Sequence, residues 1–168
     1  FVSLLSIKNA KENCMELNSL SKAFNLSGWR VGMLLSSEEN ISKVLKIKSN
    51  MDSGMFYGIQ KGAIEALNSD KKWFDNLNDI YKKRRKLVWE LATILKCKFD
   101  KKSKGLFVWA KLPKGISSSE KFINNILLVN NVFIAPGTIF GTNGEGYIRF
   151  SLCVEEKNIE EAIKRCKK

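Results

Sequence analysis

Ser19-Leu20-Ser21-Lys22-Ala23-Phe24-Asn25-Leu26-Ser27-Gly28-Trp29-Arg30-Val31-Gly32 is the stretch on which the reading of this chain turns. Lys22 follows serines at minus three and minus one, and Arg30 comes eight residues later between Gly28 and Gly32. An exposed lysine is protonated at neutral pH, with a pKa near ~10.4, and becomes a nucleophile only where its surroundings disfavour the charge. Arginine is always cationic, and its planar fork reaches two oxygens of one phosphate. Ser19 adds a hydroxyl donor for the same anion, and Ser21 either joins it or orients the lysine. Gly28 is expected to supply a turn that residues with side chains resist, bringing Arg30 back toward Lys22. Amine, hydroxyls and guanidinium together suit a cofactor held by an aldehyde and a phosphate at once. A lone Ser-x-Ser-Lys reads equally well as a solvated lysine in a serine-rich turn, so the weight lies on Gly-Trp-Arg-x-Gly at its offset.

The run resembles the lysine signature of the class I/II aminotransferases, pyridoxal 5'-phosphate (PLP) enzymes of fold type I. The resemblance implies Lys22 as the catalytic residue that carries the cofactor, with Ser19, Ser21 and Arg30 also contacting PLP, Ser19 and Arg30 at its phosphate. A second segment points the same way. Residues 136–152 read Pro-Gly-Thr-Ile-Phe-Gly-Thr-Asn-Gly-Glu-Gly-Tyr-Ile-Arg-Phe-Ser-Leu. By period two, Ile148, Phe150 and Leu152 share one strand face, and Tyr147, Arg149 and Ser151 share the other. Arg149 thus leaves the apolar face at the end of a glycine-rich loop, and a guanidinium is a natural fork for an α-carboxylate. This segment looks like the family's PGxxFGxxGEGxxR stretch, which implies that Arg149 binds the substrate carboxylate. The plainer alternative is an exposed strand arginine.

The implied fold class is α/β, the C-terminal part of a fold-type I transferase. Residues 1–75 are expected to be the end of the large PLP-binding domain, and 76–168 a long interdomain helix with a small α+β domain. In the family, an aspartate pairs with the pyridine nitrogen, a tyrosine meets the phenolic oxygen and an aromatic stacks on the ring. All three come earlier in the family's chain than this sequence begins, so the isolated 168 residues are expected to be inactive. The implied reaction exchanges an amino group between an amino acid and a 2-oxo acid, in a homodimer with shared sites. Residues 25–30 and 48–54 look most like bacterial alanine, aspartate and LL-diaminopimelate enzymes. Another fold-type I activity, such as a β-lyase, can keep both Lys22 and Arg149. A non-catalytic, aminotransferase-like effector domain of a transcription regulator is the alternative from another class.

Composition bounds the rest. The formal charge is +12, yet only five of the 29 basic residues are arginine, and the lysines are scattered. The one cluster, Lys82-Lys83-Arg84-Arg85-Lys86, falls in a helical pattern and reads as a solvated face, so no nucleic-acid partner is expected. Histidine is absent, which removes the commonest metal ligand and the base of a Ser-His-Asp triad; no metal site is expected. Cys14, Cys97, Cys153 and Cys166 form no CxxC pair and read as small apolar residues under reducing conditions. No run of about 18 apolar residues occurs, so no membrane partner and a cytoplasmic protein are expected.

Patterning supplies the elements. Residues 14–20 and 31–35 read as strands, the second one buried. Ser36 and Glu39 have capping-box spacing before a helix burying Ile41, Val44, Leu45 and the stem of Lys48. A helix with Ile59, Ala63, Ala66 and Leu67 on one stripe follows, and Asp70 opens a long one with Trp73, Leu77, Tyr81, Val88, Leu91 and Leu95 repeating every three to four residues. Beyond it lie a strand over 105–112, a helix opened by Ser117 and Glu120 with Phe122, Ile123, Ile126 and Leu127 inward, and strands over 132–135 and 147–152. A closing helix from Glu155 buries Ile159, Ala162, Ile163 and Cys166. The loop at 51–58 is expected to cross a two-fold interface and present Ser53 or its backbone to the neighbouring site. The plainer alternative is an ordinary interhelix loop whose aromatics fold back on their own core.

Overall fold

A computed structural model describes residues 2–167, and its chain divides into two units, Phe1–Asp70 and Lys71–Lys168. In the first, a 3-10 turn (Leu4–Ser6) and α1 (Ala10–Asn13) precede β1 (Glu16–Ser19), α2 (Leu20–Ala23) and β2 (Gly32–Leu35); α3 (Glu38–Lys48) and α4 (Tyr57–Leu67) follow. β1 and β2 form an antiparallel ribbon with Glu16 opposite Leu35 and Ser19 opposite Gly32. A Cβ at Gly32 would lie 2.8 Å from the Asn18 carbonyl oxygen, so glycine lets the two strands close up. Val31 is buried, but the strand after it is not, contrary to expectation: Leu35 and Leu17 are exposed. A two-stranded ribbon has no neighbouring strands to widen it.

The cap of α3 falls one residue later than the spacing suggested. Ser37 Oγ accepts from the Asn40 N–H, while the Ser36 hydroxyl donates to the Cys14 carbonyl at 2.7 Å. With that hydroxyl engaged by the incoming chain, the next serine takes the capping position. Ile41, Val44 and Lys48 are half-buried and Leu45 is exposed, so the expected stripe is only partly covered. On α4, Ile59, Ala63 and Ala66 are half-buried and Leu67 is exposed.

The second unit runs α5 (Lys71–Ile94), β3 (Lys98–Phe99), β4 (Phe107–Lys111), α6 (Ser119–Asn130), β5 (Ala135–Pro136), β6 (Tyr147–Ser151) and α7 (Glu156–Cys166). Its four strands are antiparallel in the order β3-β4-β6-β5. Alternation decides the faces: Val108 and Ala110 of β4 and Ile148 and Phe150 of β6 are buried. Val88, Leu91 and Ala92 of α5, Ile123 and Ile126 of α6, and Ile159 and Ile163 of α7 complete one apolar core. Burial of several such side chains, at about 1.5–3 kcal/mol each, is what holds these helices to the sheet. Cys97 belongs to the core, and burial pushes its thiol up to about 11.

Four local expectations change here. Ser118, not Ser117, caps α6, and Leu127 is exposed. Ser119 is fully buried, and its Oγ is satisfied there by accepting from the Gly146 N–H at 2.9 Å. The strand over 132–135 shrinks to Ala135–Pro136, the two residues that pair with β6. The basic run 82–86 is not simply solvated. Arg84 donates to Glu156 at 3.1 Å and to the Leu152 carbonyl at 3.2 Å, and Arg85 donates to the carbonyls of Ser103 and Gly105. These contacts fasten α5 to loops distant in sequence. Among the described residues no helix is long and apolar enough to cross a membrane, and no cluster of potential ligands could hold a metal ion.

Candidate functional site

The strand-to-helix junction in the first unit is built around Leu20, 1% exposed. Its N–H donates to the Val31 carbonyl at 3.2 Å, and its own carbonyl accepts from Phe24 and Leu26. These bonds fold residues 20–31 back on themselves. Ser19, in extended conformation at the end of β1, caps α2 through its Oγ, which accepts from the Ser21 N–H at 3.2 Å. Lys22 therefore sits on a short helix rather than in an open turn, and it is exposed.

The return to Arg30 does not depend on Gly28 as expected. A Cβ there would meet nothing within 4 Å, and Gly28 is not among the positive-φ residues. Arg30 itself takes the left-handed conformation, φ 52° and ψ 47°, uncommon for a residue with a side chain. Two contacts support it. Arg30 donates through Nη1 to the Ser27 carbonyl at 2.9 Å. Trp29 lies on Gly62 of α4, where a Cβ would come within 2.8 Å of the indole's Cη2.

Ser19, Ser21 and Arg30 line one depression of about 440 Å³ with Asn18, Gly32 and apolar residues of β1 and β2. No carboxylate lines it. A hydroxyl that accepts a bond still has a proton to donate, and a guanidinium carries five N–H donors, of which Ser27 takes one. The donor set fits a phosphate group, and Lys22 follows Ser21 directly on α2.

In the second unit, Arg149 of β6 pairs with Trp109 of β4 and Ala135 of β5. Its guanidinium carbon lies 4.1 Å from the ring centre of Phe107 and 3.9 Å from that of Phe140. Trp109 stacks on Tyr147 at 5.6 Å and meets Phe140 edge-on at 5.8 Å. Residues 132–135, the end of β6 and α7 also line a largely apolar groove of about 480 Å³, bordered by Arg149 and Arg165.

Phe140 arrives on a 3-10 turn, Gly137–Phe140, whose path is set by backbone contact. A Cβ on Gly137 would overlap the Gly144 carbonyl oxygen and lie 2.7 Å from that of Tyr147. Glu145 Oε1 accepts from the N–H groups of Ser119 at 2.7 Å and Gly146 at 2.9 Å, which hold its carboxyl below the usual range. Sequence reasoning missed Phe107, Phe140 and Glu145. Period two along β4 could have shown Phe107 and Trp109 as aromatic residues on the face opposite the core; the position of Phe140 follows from the loop path alone.

The family described as aminotransferase class I and II matches residues 1–166. An LL-diaminopimelate aminotransferase of Oleidesulfovibrio alaskensis is 39% identical over 168 residues, covering 98% of this chain and 42% of its own. That of Aquifex aeolicus is 34% identical over 165 residues, covering 98% and 42%. Among solved structures, substrate-bound BacF from Bacillus subtilis superposes with a TM-score of 0.85 at 34% identity, over 97% of this chain and 42% of that one. An aromatic aminotransferase from Pyrococcus horikoshii gives 0.84 at 28% identity, over 98% and 45%. The chain thus spans less than half the length of these relatives. The paired signatures around Lys22 and Arg149 and the match along nearly all its length show that this chain belongs to the class I and II aminotransferases.

Proposed function

We propose that the complete protein carrying this chain is a PLP-dependent aminotransferase, moving an amino group between an amino acid and a 2-oxo acid. The family is PLP-dependent, and the observation that carries the reading is the depression lined by Ser19, Ser21 and Arg30. Lys22 is not among its lining residues but follows Ser21 directly on α2. When bound, PLP supplies the electron sink for breaking the bond from Cα to hydrogen. Arg30 and the two serine hydroxyls hold the phosphate. Lys22 Nζ anchors the cofactor and, once released, takes the proton from the substrate Cα and gives it up again on the way to product. Arg149 binds the carboxylate and so fixes the direction of the Cα–H bond.

LL-diaminopimelate is the first donor to test, because the relatives bearing that name match nearly the whole chain. A homodimer belongs to the same reading. Its support is the segment between α3 and α4 and the first residue of α4, where Met51, Phe56 and Tyr57 are exposed. A cytoplasmic location goes with it, supported by four cysteines that are all free.

The experiment is transfer from LL-diaminopimelate to 2-oxoglutarate by the full-length protein, with bound PLP measured alongside. Arg30→Ala lowers cofactor content. Arg149→Ala keeps the cofactor and raises KM, and losing a charged contact worth about 2–5 kcal/mol lowers kcat/KM at least about thirtyfold. Equal loss of PLP from both variants would contradict this division of roles. Ammonia and pyruvate from an added β-substituted amino acid such as an S-alkylcysteine, with no glutamate formed from 2-oxoglutarate, would favour a β-lyase.

A further inference from the structure

We propose that Phe107 and Phe140 are positioning residues for Arg149, clamping its guanidinium so that only the edge of the plane is offered to a carboxylate. The inference rests on Arg149 as the carboxylate site and adds how that site is held ready.

The rings take the guanidinium at 4.1 Å and 3.9 Å from their centres, close enough for strong cation–π contact. All five N–H donors of arginine lie in its plane, so a group engaged by two rings keeps its donors available. Each of the other four arginines donates at least one N–H to the protein. Arg30 donates to Ser27, Arg84 to Glu156 and Leu152, Arg85 to Ser103 and Gly105, and Arg165 to Glu161 and Asn131. Among the described residues Arg149 makes no such bond; its side-chain partners are the two rings. An arginine engaged by two rings with its N–H donors unspent is prepared for an incoming anion.

The clamp is itself braced. Phe107 is fixed on β4 opposite Ser151, and Trp109, two residues on, meets the Phe140 ring edge-on at 5.8 Å. The turn carrying Phe140 is tied down by the Gly137–Gly144 contact and by a hydrogen bond from Thr138 Oγ1 to Glu120 at 3.2 Å. Holding a long side chain in one rotamer before the ligand arrives lowers the entropy lost on binding.

The test uses the full-length holoenzyme with LL-diaminopimelate and 2-oxoglutarate, comparing Phe107→Leu, Phe140→Leu, Phe140→Tyr and Arg149→Ala. Each leucine variant should raise KM for both substrates about tenfold, change kcat by less than about threefold and keep its PLP. Phe140→Tyr, which retains a ring, should bring KM back to near the parent value. Parental KM in the leucine variants beside a raised KM in Arg149→Ala overturns the clamp and leaves the carboxylate role of Arg149 standing. Parental KM in Arg149→Ala overturns both. A Phe140→Tyr enzyme as impaired as Phe140→Leu also overturns the clamp. If Phe140→Leu fails to fold, Phe107→Leu decides alone, by the same KM criterion.

Discussion

Gly137→Ala is expected to be the costliest single-methyl addition among three glycines flanking the candidate sites. Its Cβ would overlap the Gly144 carbonyl oxygen and lie 2.7 Å from that of Tyr147. Both obstacles are backbone, so no side chain can swing aside, and Gly137 is buried. Overpacking of this kind costs about 1–3 kcal/mol, and a rigid backbone obstacle puts the cost at about 3. Gly141 isolates a different effect. Its φ of 116° strains any side chain, but the added methyl meets open space, which leaves about 1 kcal/mol. Gly28 has neither problem, and its alanine variant should lie within about 0.5 kcal/mol of the parent. Urea unfolding of the 168-residue chain, followed by circular dichroism, reads the series. With a slope of about 2 kcal/mol per molar, Gly137→Ala should lower the midpoint by about 1.5 M and Gly141→Ala by about 0.5 M. A Gly137→Ala midpoint equal to that of Gly28→Ala would refute the claim that backbone contact sets this loop.

The Glu145 carboxyl is held below its ordinary value of 4.5 by the N–H groups of Ser119 and Gly146. A depressed folded pKa contributes stability above the unfolded value, and that stability is lost as pH falls through 4.5 and then through the lower folded value. Glu145→Gln should therefore flatten the acid side of the stability–pH curve below 4.5, and curves that stay parallel would count against the assignment. For the full-length protein, Phe56→Asp should reduce both dimer content by light scattering and transfer activity; a fully active monomer would contradict the shared-site reading.

Elements that bury a face within their own unit were legible in the sequence. Alternation along 147–152 and the three-to-four spacing of Val88 and Leu91, or of Ile159 and Ile163, follow from geometry and reappear in the core. The caps were less legible, because a serine's hydroxyl has more than one possible partner. The Ser36 hydroxyl donates to the Cys14 carbonyl and the Ser119 hydroxyl accepts from the Gly146 N–H, bonds that depend on chain brought in from far along the sequence. The same reason hides the exposure of Leu35 and Leu45, which depends on what lies across from them. For the candidate site, spacing was enough to bring Ser19, Ser21 and Arg30 to one depression. It was not enough to locate the backbone device that does so. Arg30 takes the positive φ that Gly28 was expected to supply, and Trp29 lies on Gly62. Phe140 could not be read at all, since its approach to Arg149 depends on the Gly137–Gly144 contact.

Lys22 as the anchor of the cofactor is tested most directly by borohydride reduction of the full-length holoprotein, followed by digestion and mass spectrometry. A pyridoxyl adduct confined to the peptide containing Lys22, and absent from the Lys22→Ala protein, is the predicted result. An adduct on another lysine of the parent protein, with none on the Lys22 peptide, would contradict it.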